Sequence, residues 1–89
     1  APLGIMVEPL PADLADSLGV DGGVIVADVA RGSAYEAGIR PRDVITEINR
    51  RKVASVADFR EVVRALPDDK AVSVRVVRQG RALYLVMKP

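Results

Sequence analysis

Ser33 and Ser55 are the two hydroxyls whose setting could support nucleophilic chemistry. A serine nucleophile needs a base within hydrogen-bond reach, most often a histidine. The chain has 89 residues and contains no histidine, no cysteine and no tryptophan. It therefore lacks an imidazole to activate a hydroxyl, a thiolate nucleophile, a disulfide and a thiolate zinc site. Capping accounts for both serines instead: Ser33 with Glu36 fits a capping box, and Ser55 fits a second N-cap. Gly22-Gly23 is followed by neither a helix start nor a lysine, so it reads as a turn and not a phosphate cradle. Asp68-Asp69 offers two carboxylates, where calcium takes about six to eight oxygens. Arg50-Arg51-Lys52 is a small basic tip of the kind that ends a solvated hairpin. No catalytic, metal or cofactor site is expected within these residues, which leaves binding as the class of function.

Charge narrows the partner. Thirteen basic residues face twelve acidic ones, for a net charge of +1, and the aromatics are only Tyr35, Phe59 and Tyr84. Nucleic-acid binders carry a basic excess and stacking platforms, so no nucleic acid is expected. No apolar run approaches the ~18 residues of a membrane span, and no leader segment is read at the start. The length suits one domain over 1–89, with an aliphatic core.

The elements that must position a binding site follow from periodicity and punctuation. Leu3-Gly4-Ile5-Met6-Val7 reads as a strand, either buried on both faces or lying beside a groove. Pro9-Leu10-Pro11 breaks it. Leu10, Leu14 and Leu18 share a helical face, Pro11 and Asp13 suit a first turn, and Gly19 suits a C′ position, which predicts a helix over 12–18. Asp21-Gly22-Gly23 turns the chain into a β-branched strand over 24–29. A one-turn helix starts at Ser33 and ends at Gly38, and a strand covers 43–48. A polar turn over 49–52 leads into a minimal return strand from Val53. A helix over 56–66 follows the Ser55 cap and stops at Pro67-Asp68-Asp69. Strands over 72–77 and 82–87 flank the hairpin turn Arg78-Gln79-Gly80-Arg81. The predicted class is α+β: a small, mostly antiparallel, partly open β-barrel or sandwich of five to six strands, capped by one long and two short helices. Such an arrangement exposes a strand edge beside a helix, which strand-addition recognition requires.

With the elements placed, the whole chain resembles a PDZ domain, in the permuted form found in bacterial HtrA/Deg serine proteases. Leu3-Gly4-Ile5-Met6 is similar to the Gly-Leu-Gly-Phe type carboxylate-binding loop, with Pro2 in place of the first glycine. Leu18-Gly19-Val20-Asp21-Gly22-Gly23-Val24-Ile25-Val26 resembles the family's entry to the next strand. The segment from Ser33 through Gly38, Asp43 and Asn49 carries the most specific likeness: cap, glycine, acidic strand start and asparagine turn in order.

The resemblance implies a site. Backbone N–H groups near Leu3, Gly4 and Ile5 would hold the terminal carboxylate of a C-terminal or extended hydrophobic peptide, as a nest of donors needing no charged side chain. Gly4 permits close approach and φ > 0. Ile5, Met6 and Val7 would pair with the ligand's main chain, alternate side chains facing the pocket. Val56, Arg60 and Val63, at offsets of zero, four and seven, would form the helical wall, with Arg60 either favouring acidic or polar ligand side chains or simply solvated. Burying one aliphatic ligand side chain is worth about 1.5–3 kcal/mol, and micromolar affinity (about −8 kcal/mol) is expected. The implied function is a regulatory module of a periplasmic protease in protein quality control, with proteolysis in a domain outside these residues and neighbouring protease or PDZ domains as further partners. Two alternatives stand beside it. Pro2, which removes a donor, and Arg60 fit an occluded groove serving assembly, and the same module occurs in intramembrane proteases and secretion-system proteins.

Overall fold

The computed structural model describes residues 2–88. A 3-10 turn, Pro2–Gly4, leads into β1 (Ile5–Pro9), followed by α1 (Ala12–Leu18), β2 (Val24–Val29) and α2 (Ser33–Ala37). Then come β3 (Val44–Ile48), β4 (Arg51–Lys52), α3 (Val56–Arg64), β5 (Val72–Arg78) and β6 (Arg81–Met87). All strand pairs are antiparallel and belong to one six-stranded sheet in the order β1-β2-β3-β5-β6, with β4 on β3. This is the α+β arrangement that the sequence predicts, with β1 at one end of the sheet.

Alternation drives one sheet face inward. Ile5, Val24, Val26, Ile45, Ile48, Val74 and Val76 are buried together, and α3 adds Phe59 and Val62 to the same cluster. Ala34 of α2 and Ile39, just after it, complete the closure. Where Gly23 enters β2 its φ is 152°, and an added Cβ would lie 2.8 Å from the Ile45 carbonyl oxygen, so only glycine fits.

Most local expectations match, and the differences have physical causes. α1 spans the predicted residues and closes on Gly19 in the left-handed conformation (φ 71°). Ser55 caps α3 by accepting from the Asp58 N–H at 3.1 Å. Ser33, however, is no cap: Gly32 occupies that position at φ 148°, and its carbonyl accepts the Glu36 N–H at 2.9 Å. α3 ends at Arg64 and not at 66, because the Leu66 N–H turns back to the Val63 carbonyl three residues earlier (3.1 Å). The return strand is Arg51–Lys52, just before Val53, which is buried. Arg78 and Arg81 pair, so the hairpin turn is only Gln79-Gly80, both at positive φ as a two-residue turn of the primed type needs. Finally, β1 is not buried on both faces: Ile5 is buried and Met6 is 56% exposed, the pattern of a strand with one wet face.

Candidate functional site

β1 presents an outer side that no other strand pairs among the described residues. The direction of its main-chain groups follows from two observations. The Ala30 N–H donates to the Gly4 carbonyl at 2.8 Å, which makes Ile5 opposite Val29 a non-hydrogen-bonded pair. The N–H and C=O of Ile5 therefore point away from β2, toward the open edge. Val7 lies opposite Val26, whose own N–H and C=O are bonded to the Asp43 carbonyl and the Arg42 N–H, both at 2.8 Å, on the far side of β2. The Val7 groups are thus also turned outward. Between them the register shifts, leaving Ala27 as the extra residue of a bulge opposite β1.

The turn at the head of β1 holds two successive left-handed residues, Leu3 (φ 59°, ψ 15°) and Gly4 (φ 70°). Glycine takes this conformation freely, while Leu3 bears a cost of roughly 1–2 kcal/mol for it. An added Cβ on Gly4 would touch the Ala30 Cβ at 3.5 Å, an ordinary contact, so the backbone angle and not crowding calls for glycine there.

α3 lies against this turn and against β1, with its first residues Val56 and Ala57 beside Pro9 and Leu10. The two elements run in opposite directions. Phe59 and Val62 are buried beneath, whereas Leu3, Val7, Val56 and Val63 are half-buried and packed on the core, so they form an apolar floor and wall. Arg60 is exposed, one turn from Val56 and one from Val63.

The structure places Leu3, Gly4, Ile5 and Val7 on the turn and edge strand and Val56, Arg60 and Val63 on the helix packed against them, with two differences from the expected roles. Ile5 has a side chain only 1% exposed, so it offers the groove its main chain, the side chain being part of the core. Met6 does not join them. Its main chain pairs with Asp28, and its side chain takes the opposite face of the strand, because alternation allows nothing else beside a buried Ile5.

Sequence reasoning missed a polar clasp where β3 begins beside the end of β5. Asp43, 2% exposed, accepts from Arg78 Nε at 2.8 Å, from Arg78 Nη2 at 2.7 Å and from the Arg40 N–H at 2.9 Å. The hydrogen bond to Asp43 raises the Arg78 pKa above its usual value, against a smaller opposing effect of burial. Arg40 lies 3.9 Å above the Tyr35 ring and donates to the Tyr35 and Ile39 carbonyls at 2.7 and 2.8 Å. No spacing rule flags a pair of residues so distant in sequence.

An edge strand, a left-handed turn at its head and an antiparallel helix beside it coincide with a family match: residues 1–88 fit the PDZ domain family. The chain is a PDZ domain. This PDZ domain is 42% identical over 86 residues to the "Probable periplasmic serine endoprotease DegP-like" of Pseudomonas putida (strain W619), a match covering 97% of this chain and 18% of the relative. The protein of the same description from Hahella chejuensis (strain KCTC 2396) is 44% identical over 86 residues, with the same coverage. The chain therefore spans only 18% of the length of these relatives. Among solved structures, a variant of the HtrA-type protease AlgW with decapeptide superposes with a TM-score of 0.88 at 31% identity, covering 97% of this chain and 27% of that one. The HtrA3 PDZ domain bound to a phage-derived ligand (FGRWV) superposes with a TM-score of 0.79 over 98% of this chain and 82% of that one. At 24% identity that second likeness is one of fold. The PDZ domain is thus related to those of HtrA/Deg-like serine proteases.

Proposed function

We propose that this PDZ domain binds the C-terminal or extended segment of a protein by antiparallel strand addition to β1. The observation that carries the reading is the outward direction of the Ile5 and Val7 main-chain groups beside an apolar wall. The ligand strand would lie between β1 and α3. Its carboxylate would sit at the N–H groups of Leu3, Gly4 and Ile5, with Pro2 contributing none. Its terminal side chain would rest on Leu3 and Val63, the half-buried residues nearest that end. Arg60, exposed midway along the wall, favours an acidic side chain upstream. Relatives solved with peptides, the AlgW protease with decapeptide or tripeptide, support a peptide as the ligand class.

In the whole protein, the domain would serve as a regulatory unit of an HtrA-like periplasmic serine protease acting in protein quality control. The catalytic residues would lie outside these 89 residues. Relatives described as periplasmic serine endoproteases support this placement.

A titration with hydrophobic peptides of one sequence, as free acid and as C-terminal amide, tests the proposal. The free acid is expected to bind at least about ten-fold tighter, since the amide forfeits charge-assisted hydrogen bonds. Amide chemical-shift changes should centre on Ile5 and Val7. Equal affinity for the two forms, or shifts that leave β1 undisturbed, would sink it.

A further inference from the structure

Past β1 the groove does not close. A cavity of about 480 Å³ opens between the start of α1, the turn at Gly22-Gly23 and the first turn of α3. Pro9, Leu10, Val56 and Ala57 line it, so it is continuous with both walls of the groove. Around it stand short side chains, among them Ala12, Ala54 and Ala57, all exposed. Where helix surfaces usually carry long polar residues, alanine leaves the mouth wide and apolar. The volume lies within the range of pockets that enclose a ligand group, roughly 300–1,000 Å³.

Strand direction decides what can reach this cavity. In the orientation proposed above, on which this inference rests, the ligand's last residue lies opposite Ile5 and its upstream residues pass Val7 and Pro9. Outward pairing ends at that point. Pro9 follows Val7 in the alternation and has no N–H to donate, and Pro11 bars any continuation. Beyond Pro9 the ladder can no longer hold the ligand, so side-chain burial must take over. Counting one residue per residue, the ligand position opposite Pro9 is about the fifth from the end.

We infer that this cavity is a second subsite of the peptide groove, taking a large apolar side chain about the sixth or seventh residue before the ligand's C-terminus. Selection would then act at both ends of a segment of seven or eight residues. An apolar residue at the distal position marks sequence that is normally buried.

The test compares free-acid peptides of five and of eight residues sharing one C-terminal sequence, the longer carrying phenylalanine or alanine at the sixth and seventh positions from the end. Binding is measured by fluorescence anisotropy on the 89-residue chain and on Ala57→Trp, which fills the cavity from an exposed site. The phenylalanine peptide is expected to bind at least about five-fold tighter than either the five-residue or the alanine peptide. Ala57→Trp should erase that gain while the five-residue peptide still binds, which also reports that the variant is folded. A five-residue peptide that binds with no gain on lengthening, or a gain that survives Ala57→Trp, overturns the subsite while leaving the groove reading intact. No binding of either length overturns both.

Discussion

Replacing Arg78 with methionine removes two guanidinium bonds to Asp43, at 2.8 and 2.7 Å, and one to the Gly38 carbonyl, at 2.8 Å. Methionine retains most of the apolar stem but donates nothing. The Asp43 carboxylate, 2% exposed, is left with only the Arg40 N–H. Breaking a buried pair by removing one partner costs about 3–5 kcal/mol. The Arg78 side chain is itself 38% exposed, so water reaches part of the vacated space and the low end applies, about 3 kcal/mol. Asp43→Asn is the gentler perturbation, because the guanidinium it strands can hydrate; about 1–2 kcal/mol is expected. Against a total of roughly 4–13 kcal/mol for a chain of this size, the difference is easily read. Urea unfolding followed by circular dichroism measures both, and the arginine variant should melt roughly 12–24 °C lower. The double variant should cost less than the sum of the two. The raised Arg78 pKa means that its contribution is complete below the unfolded arginine value and fades only as pH rises through the folded one. The cost of Arg78→Met should therefore be flat between about pH 6 and pH 9 as far as Arg78 is concerned. A cost below about 1 kcal/mol, or an asparagine variant less stable than the methionine one, would refute the reasoning.

Four further outcomes are expected. Ser55→Ala should lose about 1 kcal/mol with its bond to the Asp58 N–H, whereas Ser33→Ala should be nearly neutral in the same urea titration, since Gly32 occupies the cap position. Gly23→Ala should destabilise by about 2–4 kcal/mol, because the Cβ would meet the Ile45 carbonyl oxygen at 2.8 Å and the backbone stands at φ 152°. Gly4→Ala meets no such obstacle; at φ 70° it should cost about 1–2 kcal/mol of stability and weaken free-acid peptides more than amides. Arg60→Glu should reverse a preference for acidic over basic peptides by about two- to five-fold at low salt, an effect that shrinks at higher ionic strength.

What could be read from the sequence was local. Pro11 and Gly19 bracket α1 because each is tied to one backbone geometry, and Ser55 reports its cap through a neighbour three residues on. The half-buried face of α3 is equally legible, since Val56 and Val63 share it whatever they pack against. The misses arose where one local signal met a stronger competitor. The Ser33 and Glu36 pattern is real, but Gly32 reaches a φ of 148° that no serine would, and its carbonyl takes the Glu36 N–H instead. Alternation along β1 does not tell whether the Ile5 side chain faces a pocket or the core. Its burial depends on Phe59 and Val62 arriving from α3, which periodicity within β1 cannot foresee. Asp43 and Arg78 sit 35 residues apart and meet only because β3 pairs with β5.

An open strand edge is a hazard, since its unpaired groups invite association with any extended chain. Three features limit that hazard on β1: it is five residues long, a bulge interrupts its register with β2, and it ends in Pro9. Under the proposed strand addition, the same features would define what it binds. Ile5 and Val7 are the only residues of β1 whose N–H and C=O both reach the open side, so an arriving strand gains about four main-chain bonds. At about 1 kcal/mol net for each, they fall well short of micromolar affinity once ordering costs are met. In the proposed mode the shortfall would come from the ends: carboxylate capture at the Leu3-Gly4 turn on one side, apolar burial on the other. A mid-chain segment forfeits the first contribution and a short tail the second. In the proposed binding mode the edge would therefore be selective because it is too short to hold a chain by backbone pairing alone.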